Sequence, residues 1–301
     1  MKKVEQKESK RMRAAQAAKR WLKTFQEVRE SKMYYEKIRD FQPHIEVQHE
    51  SEDFLVTTAQ SAEELLKILE LRHEIFVWEW QGRKAFHGLD VDDYDFEGDH
   101  LMIIDKKIDK VVGTYRLLCS KFATKFYSDS EFVLDEFLKG PEVKLEMGRA
   151  CVHQDYRDGN TIDLLWKGLS AYIRAAKVNY LFGCSSVKTT DAEKMSALFK
   201  YFEGREMWSD DHHIRTRKKY DFTGFDMSKA QALPVLEAKE MIPPLLRSYV
   251  NAGAKVYGHP ALDRDFACAD LLTILDLSRL NTKFQARYLE GFEVGKGTPA
   301  P

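Results

Sequence analysis

A stretch that reads as a strand, Val143–Val152, leads through the polar turn His153-Gln-Asp-Tyr-Arg-Asp-Gly-Asn160 into an amphipathic helix beginning at Thr161. A strand, a turn and a helix N-terminus in that order offer free backbone N–H groups to an anion such as a phosphate. Gly159 lets the backbone come close and Arg157 adds a positive charge. An ordinary capped helix is the alternative, and the turn alone does not choose between them. Asp210-Asp-His-His213 invites a metal, yet adjacent histidines on a loop lack zinc spacing, so no metal is expected. Cys119, Cys151, Cys184 and Cys268 stand more than 30 residues apart in apolar runs, which excludes CxxC pairs and a disulfide framework. They read as buried thiols.

The elements that must position these groups follow from periodicity. Phe54-Leu-Val-Thr-Thr58 reads as a strand, and Ser61-Ala-Glu-Glu64 as a capping box opening a helix to about Phe76. His100–Asp105 and Lys110–Leu118 form a hairpin pattern, and the helix from Thr161 to about Lys177 places Ile162, Leu165, Leu169 and Ile173 on one face. Tyr180–Cys184 is a short buried strand, and a helix follows near Ala192–Tyr201. The last third adds a helix broken at Pro243-Pro244, a strand near Ala254–Tyr257 and an apolar strand Leu271–Leu275. Strands and helices mixed along one continuous pattern predict an α/β or α+β domain with a mixed sheet.

The chain has 301 residues, with 47 Lys+Arg against 48 Asp+Glu. Few glycines and prolines and many aromatic residues exclude a disordered or collagen-like chain. No run reaches the ~18 to 20 apolar residues of a membrane span, and no apolar stretch follows the basic N-terminus as in a secretory signal. A cytoplasmic protein is expected. The balance hides an asymmetry: residues 1–24 carry +7 and the rest −8. Ala14, Ala18, Trp21, Phe25 and Val28 recur at helical spacing, so residues 1–28 can lie on an anionic membrane surface as a peripheral anchor, or pack onto their own domain. The arm has few interleaved aromatics, and no nucleic-acid partner is expected. The division expected is a basic helical arm at 1–42, a domain at 43–292 and a disordered tail at 293–301.

Several long motifs carry a family resemblance. Val111-Val-Gly-Thr-Tyr-Arg-Leu-Leu118, Leu145-Glu-Met-Gly-Arg-Ala-Cys-Val-His153, Asp155-Tyr-Arg-Asp-Gly159, Leu164-Leu-Trp-Lys-Gly-Leu169, Tyr180-Leu-Phe-Gly-Cys184 and the run Ile242–Val256 resemble the ornithine-lipid N-acyltransferases of the GNAT superfamily. The resemblance covers about residues 55–288. It implies a GNAT-type fold with a mostly antiparallel central sheet flanked by helices. It also implies transfer of a 3-hydroxyacyl chain from acyl carrier protein to the α-amine of ornithine, in ornithine-lipid synthesis. No tightly bound cofactor is implied, only the phosphopantetheine thioester as donor. More distantly, Arg72-x-x-x-Phe76, Asp92-x-x-Asp95, Arg116 and Glu146-x-x-Arg149 are similar to charged residues of the acyl-homoserine-lactone synthases. Trp78 and Trp80 come slightly earlier than that family's tryptophan.

Amide formation from a thioester needs a deprotonated amine, a polarised carbonyl and a leaving thiol. Glu146 is the expected base, with Arg149 beside it; an ion pair of Glu146 with Arg149 or Arg116 is the alternative. Arg72, Phe76, Asp92, Asp95 and Arg116 are expected to shape the amine pocket, an arginine binding the α-carboxylate and an aspartate the side-chain ammonium. Cys151, Val152, His153, Arg157, Gly159 and Asn160 are expected to hold the phosphopantetheine arm, with backbone N–H groups near Cys151 to His153 facing the oxyanion. Carrier proteins are acidic, so the basic cluster Arg215, Arg217, Lys218 and Lys219 is the expected docking element. Two other readings stay open: a signal synthase of the acyl-homoserine-lactone type or for another amino acid, and a non-catalytic binding protein on the same fold.

Overall fold

The computed structural model describes residues 32–82, 88–157 and 159–290. The expected membrane contact at 1–28 and the tail at 293–301 lie outside them. Residues 32–39 are helical, and Ile38 and Phe41, which the sequence groups with the arm, are buried against the domain.

The strands are β1 (Gln48–Glu50), β2 (Phe54–Thr58), β3 (Asp99–Asp105), β4 (Lys110–Cys119), β5 (Phe132–Val133), β6 (Lys144–Val152), β7 (Tyr180–Val187), β8 (Trp208–Ser209), β9 (Arg215–Thr216), β10 (Lys255–Asp263) and β11 (Cys268–Asp276). Nine of them form one sheet in the order β1-β2-β3-β4-β6-β7-β11-β10-β8, and β5 pairs with β9 apart from it. Only β6 with β7 and β10 with β8 run parallel in that sheet. The helices are α1 (Ala62–Arg72), α2 (Asp135–Lys139), α3 (Asn160–Ala176), α4 (Ala192–Glu203), α5 (Val235–Met241), α6 (Pro244–Ala252) and α7 (Thr282–Tyr288). None of the described helices is long and apolar enough to cross a membrane.

The two sheet faces are covered differently. Paired residues point to the same side and neighbours along a strand to opposite sides. On one side, α3 buries Leu165, Leu169, Tyr172 and Ile173 against Leu101, Ile103, Leu117 and Leu145. Gly168 seats it closely, since a Cβ there would meet Val56 Cγ1 at 2.5 Å. α4 and α6 continue this layer. The opposite side is covered by α1, whose Leu65, Ile68 and Leu69 pack with Met102 and Cys151, and by the segment 123–138 over Leu118, Phe182 and Leu272.

Ser61 caps α1 as expected, its Oγ accepting the Glu64 N–H at 3.2 Å, but the return bond of the box shifts by one residue: Glu64 Oε2 accepts from the Gln60 N–H at 2.6 Å rather than from Ser61. The expected helix end is different. α1 gives way at His73 to a π-helical stretch, His73–Trp80, which carries Phe76 and Trp80 toward the centre of the sheet. Strands β10 and β11 run well beyond the apolar cores seen in the sequence, because their ends are polar residues of the site described next.

Candidate active site

Strands β6 and β7 pair in parallel only at Lys144 with Tyr180, Leu145 with Leu181 and Glu146 with Phe182. Beyond Glu146 they separate. Gly183 lies at the point of divergence, where an added Cβ would meet the Met147 carbonyl oxygen at 2.3 Å. A cavity of about 260 Å³ opens in the gap. One wall is apolar, with Met147, Leu245, Leu246 and Tyr249; the other is charged, with Arg116, Glu146, Arg149, Asp263 and Asp270.

A β-bulge shapes the charged wall. Arg116 pairs with Gly148 and Thr114 with Cys151, so Arg149 and Ala150 together oppose the single residue Tyr115. Arg149 adopts a left-handed φ of 48°, and strand alternation is broken there. Alternation alone would aim Arg149 away from Glu146; after the bulge its guanidinium stands over Tyr127 and Phe76 on the same side as Arg116.

Behind this wall lies a buried charge network. Arg72 Nη1 and Nη2 donate to the two oxygens of Asp95 at 2.6 and 3.2 Å, and Arg72 Nε donates to Asp90 at 2.8 Å. Arg116 Nη1 reaches Asp92 at 2.6 Å and Asp95 at 3.1 Å, and Arg149 Nη2 reaches Asp92 at 3.2 Å. Arg149 Nε also lies 3.3 Å from Asp90. Three guanidinium groups thus face three carboxylates, which offsets much of the cost of burying them. Burial alone would raise both carboxylates, but the arginines hold Asp95 well below the usual carboxylate range and lower Asp90 as well. Both oxygens of Asp95 are taken, and neither Asp95 nor Arg72 lines the cavity. Phe76, Arg116 and Arg149 do line it, and Arg116 Nε and Arg149 Nε have no hydrogen-bond partner.

Glu146 is almost fully buried. Its oxygens accept the backbone N–H groups of Tyr127 at 2.7 Å and Ser128 at 2.6 Å rather than pairing with Arg116 or Arg149. Burial raises its pKa, although those hydrogen bonds and the Arg116 charge oppose the rise. A buried carboxylate with raised basicity that borders a cavity can accept a proton.

A family model described as an acetyltransferase (GNAT) domain matches residues 71–167, the span from the end of α1 into α3. The L-ornithine N(alpha)-acyltransferase of Rhodobacter capsulatus is 30% identical over 251 residues, covering 78% of this chain and 96% of that one. The chain belongs to the L-ornithine N(alpha)-acyltransferase family. The enzyme of the same name from Rhizobium meliloti is 29% identical over 252 residues, 79% of this chain and 84% of that one. Among solved structures, the AHL synthase LasI is 13% identical, with a TM-score of 0.45 over 83% of this chain and all of that one.

The remaining expected positions of this family member fall at the edge of the site. α3 starts after Gly159, whose φ is 92° and which provides no side-chain cap, so the helix N-terminus carries Asn160 and Thr161 behind an open glycine turn. Arg157 Nη2 is paired with Glu79 at 2.8 Å, and its Nε donates to the Val152 carbonyl at 2.9 Å. The His153 N–H donates to Val112 O at 2.9 Å and Cys151 is paired with Thr114, so these backbone groups belong to the sheet rather than to an oxyanion. The bulge at Arg149 and Ala150 is where the ladder is interrupted instead. Burial pushes every cysteine thiol up, Cys151 to about 12, which fits inert packing groups. Arg217 is tied to Asp129 at 2.8 Å, while Arg215, Lys218 and Lys219 are exposed.

Four acidic residues of the site were not found from the sequence: Asp90, Glu131, Asp263 and Asp270. Asp270 carried a signal, an acid inside the apolar strand Cys268–Asp276. Trp80, whose place in the sequence motif points to no role, lines the cavity and donates from Nε1 to Phe266 O at 3.1 Å.

Proposed function

We propose that this acyltransferase moves a 3-hydroxyacyl group from the thioester of acyl carrier protein to the α-amine of ornithine, the step that opens ornithine-lipid synthesis. The carrying observation is the cavity at the separation of β6 and β7, charged on one wall and apolar on the other, with Glu146 at the last paired position. In this reading Arg116 Nε, which has no partner, receives the α-carboxylate beside the guanidinium of Arg149. Glu146 takes a proton from the α-ammonium, directly or through water. The freed amine attacks the thioester carbon, the new C–N bond forms as the C–S bond breaks, and the nitrogen's remaining extra proton passes to the departing thiolate. Backbone N–H groups released at the bulge face the oxyanion, and the α3 N-terminus faces the phosphate of the donor arm.

Lys218 and Lys219, with Arg215, form the docking surface for the acidic carrier protein. Residues 1–28 contact an anionic membrane, where a single-chain amphiphilic product would reside. The test is incubation with 3-hydroxyacyl carrier protein, or the matching coenzyme A thioester, against a panel of amino acids read by mass spectrometry. Acyl-ornithine formed from the carrier-protein donor supports the reading, and turnover only with coenzyme A would overturn its donor.

A further inference from the structure

The charged wall of the cavity has a second half that the chemistry above does not use. On β11, Asp270 stands opposite Ser186 of β7, and Asp263 of β10 stands opposite Cys268. Strand alternation puts Asp270 on the side of the sheet that Glu146 occupies, because Phe182, Cys184 and Ser186 alternate along β7 from the Glu146 partner onward. Ser186 Oγ donates to Asp270 Oδ1 at 2.5 Å. Ligand atoms of Asp263, Cys268 and Asp270 all lie within 4.8 Å of one another. From the covering segment, Glu131 reaches the same spot. It is completely buried, it hydrogen-bonds with Asp270 and the Tyr127 phenol, and Asp263 and the Cys184 thiol are its other neighbours.

These acids lack a matching cation. Arg149 is the arginine that faces Asp270, and it is already committed to Asp90 and Asp92. The other titratable groups turned toward the cluster, Tyr127, Cys184 and Cys268, are neutral at physiological pH because burial raises each of them. Burial, followed by the charge of Asp270, pushes Glu131 up to about 9. Burial, with Asp263 adding to it, pushes Asp270 up to about 6. A buried carboxylate left without a counter-charge is costly, and a fold keeps one where something positive arrives to complete it.

We propose that Asp270, supported by Glu131 and Asp263, receives the side-chain ammonium of the amine substrate and thereby selects a diamino acid. The inference rests on the function proposed above and adds its specificity determinant. An amino acid whose carboxylate meets Arg116 and Arg149 at one end of the wall presents its side chain to the rest of it. A side chain ending in an ammonium supplies the missing charge, whereas one ending in a methyl group leaves the Asp270 carboxylate without a counter-charge. A site built around such a group rejects the analogue that lacks it.

The test compares ornithine with norvaline, which has the same side chain without the amine. For the wild-type enzyme kcat/KM should favour ornithine by about 10- to 100-fold, the range of a charge-assisted hydrogen bond. In D270N, shown to be folded by its thermal melt, that ratio should collapse toward unity. Should D270N fail to fold, the wild type still decides. Calorimetry of ornithine binding near pH 7, in buffers of different ionisation enthalpy, should show proton release as the ammonium forces Glu131 to ionise, and norvaline should release none. An unchanged ratio in folded D270N, ornithine binding without proton release, or a divalent cation such as Zn²⁺ binding in competition with ornithine would each overturn the proposal. A wild-type enzyme that acylates neither amino acid would overturn the function itself, a result read without any variant.

Discussion

Glu146 stands opposite Phe182 in the parallel pairing of β6 with β7, and theirs is the last pair before the strands part. The position explains how the carboxylate can be buried and still border a cavity. Its backbone belongs to the sheet, its oxygens are steadied by the Tyr127 and Ser128 amides, and the gap begins at the next residue.

If Glu146 is the base, E146Q removes the proton acceptor while keeping the shape. The variant leaves one of the two backbone N–H groups without an acceptor, so it should remain folded with stability lower by about 1 to 3 kcal/mol, and lose about 100- to 10,000-fold in kcat, the usual range for general-base catalysis. In the wild type the raised pKa of Glu146 places the acidic limb of the kcat profile above the ordinary carboxylate value, with activity rising as pH rises through it. The limb should be absent from the residual activity of E146Q.

The separation of β6 and β7 depends on Gly183. In G183A the new methyl group would strike the Met147 carbonyl, and backbone on both strands must move. The expected cost is about 1 to 3 kcal/mol of stability. Turnover should fall further than E146Q-independent binding of ornithine does, since the gap itself changes shape; calorimetry alongside kinetics separates the two.

The arginine–aspartate network behind the site is structural in the first instance. D95N leaves Arg72 and Arg116 partly unpaired in a buried setting and should cost about 3 to 5 kcal/mol, measured by denaturant unfolding. The pH dependence has a definite sign. Asp95 has a folded-state pKa below its unfolded value, so its stabilisation is present above about pH 4 and is lost as pH falls through the folded value. D95N should flatten the acid side of the stability curve.

Glu131 behaves in the opposite sense. Its folded-state pKa of about 9 lies above the unfolded value, so the folded protein binds more protons and loses stability as pH rises toward 9. E131Q cannot ionise and should melt higher than the wild type at pH 8 to 9, with little difference near pH 4 to 5, by scanning calorimetry. A variant that melts lower at alkaline pH would contradict the burial argument.

Much of this architecture was legible because local chemistry and global position agree in it. The N-cap at Ser61, the hairpin of β3 with β4 and the period of α3 are all written in neighbouring residues. The motif Glu146-x-x-Arg149 was visible as well, but its geometry was not. A one-residue bulge decides which side Arg149 faces, and nothing in Met147-Gly148 announces it. Asp92 and Asp95 were read as receptors for an ammonium, whereas their oxygens are bound to arginines and the unmatched acids come from the covering segment, β10 and β11. Glu131, Asp263 and Asp270 are brought together only by sheet order, which places β11 beside β7 although some 80 residues separate them in the chain. Periodicity carries no information on such a pairing.

The most direct test of the central claim is a single-turnover reaction of the enzyme with 3-hydroxyacyl carrier protein and ornithine, the product being fragmented by tandem mass spectrometry. The account predicts acylation on the α-nitrogen, with the side-chain nitrogen left free. Product carrying the acyl group on the side-chain nitrogen, or no acyl-ornithine at all, would contradict it.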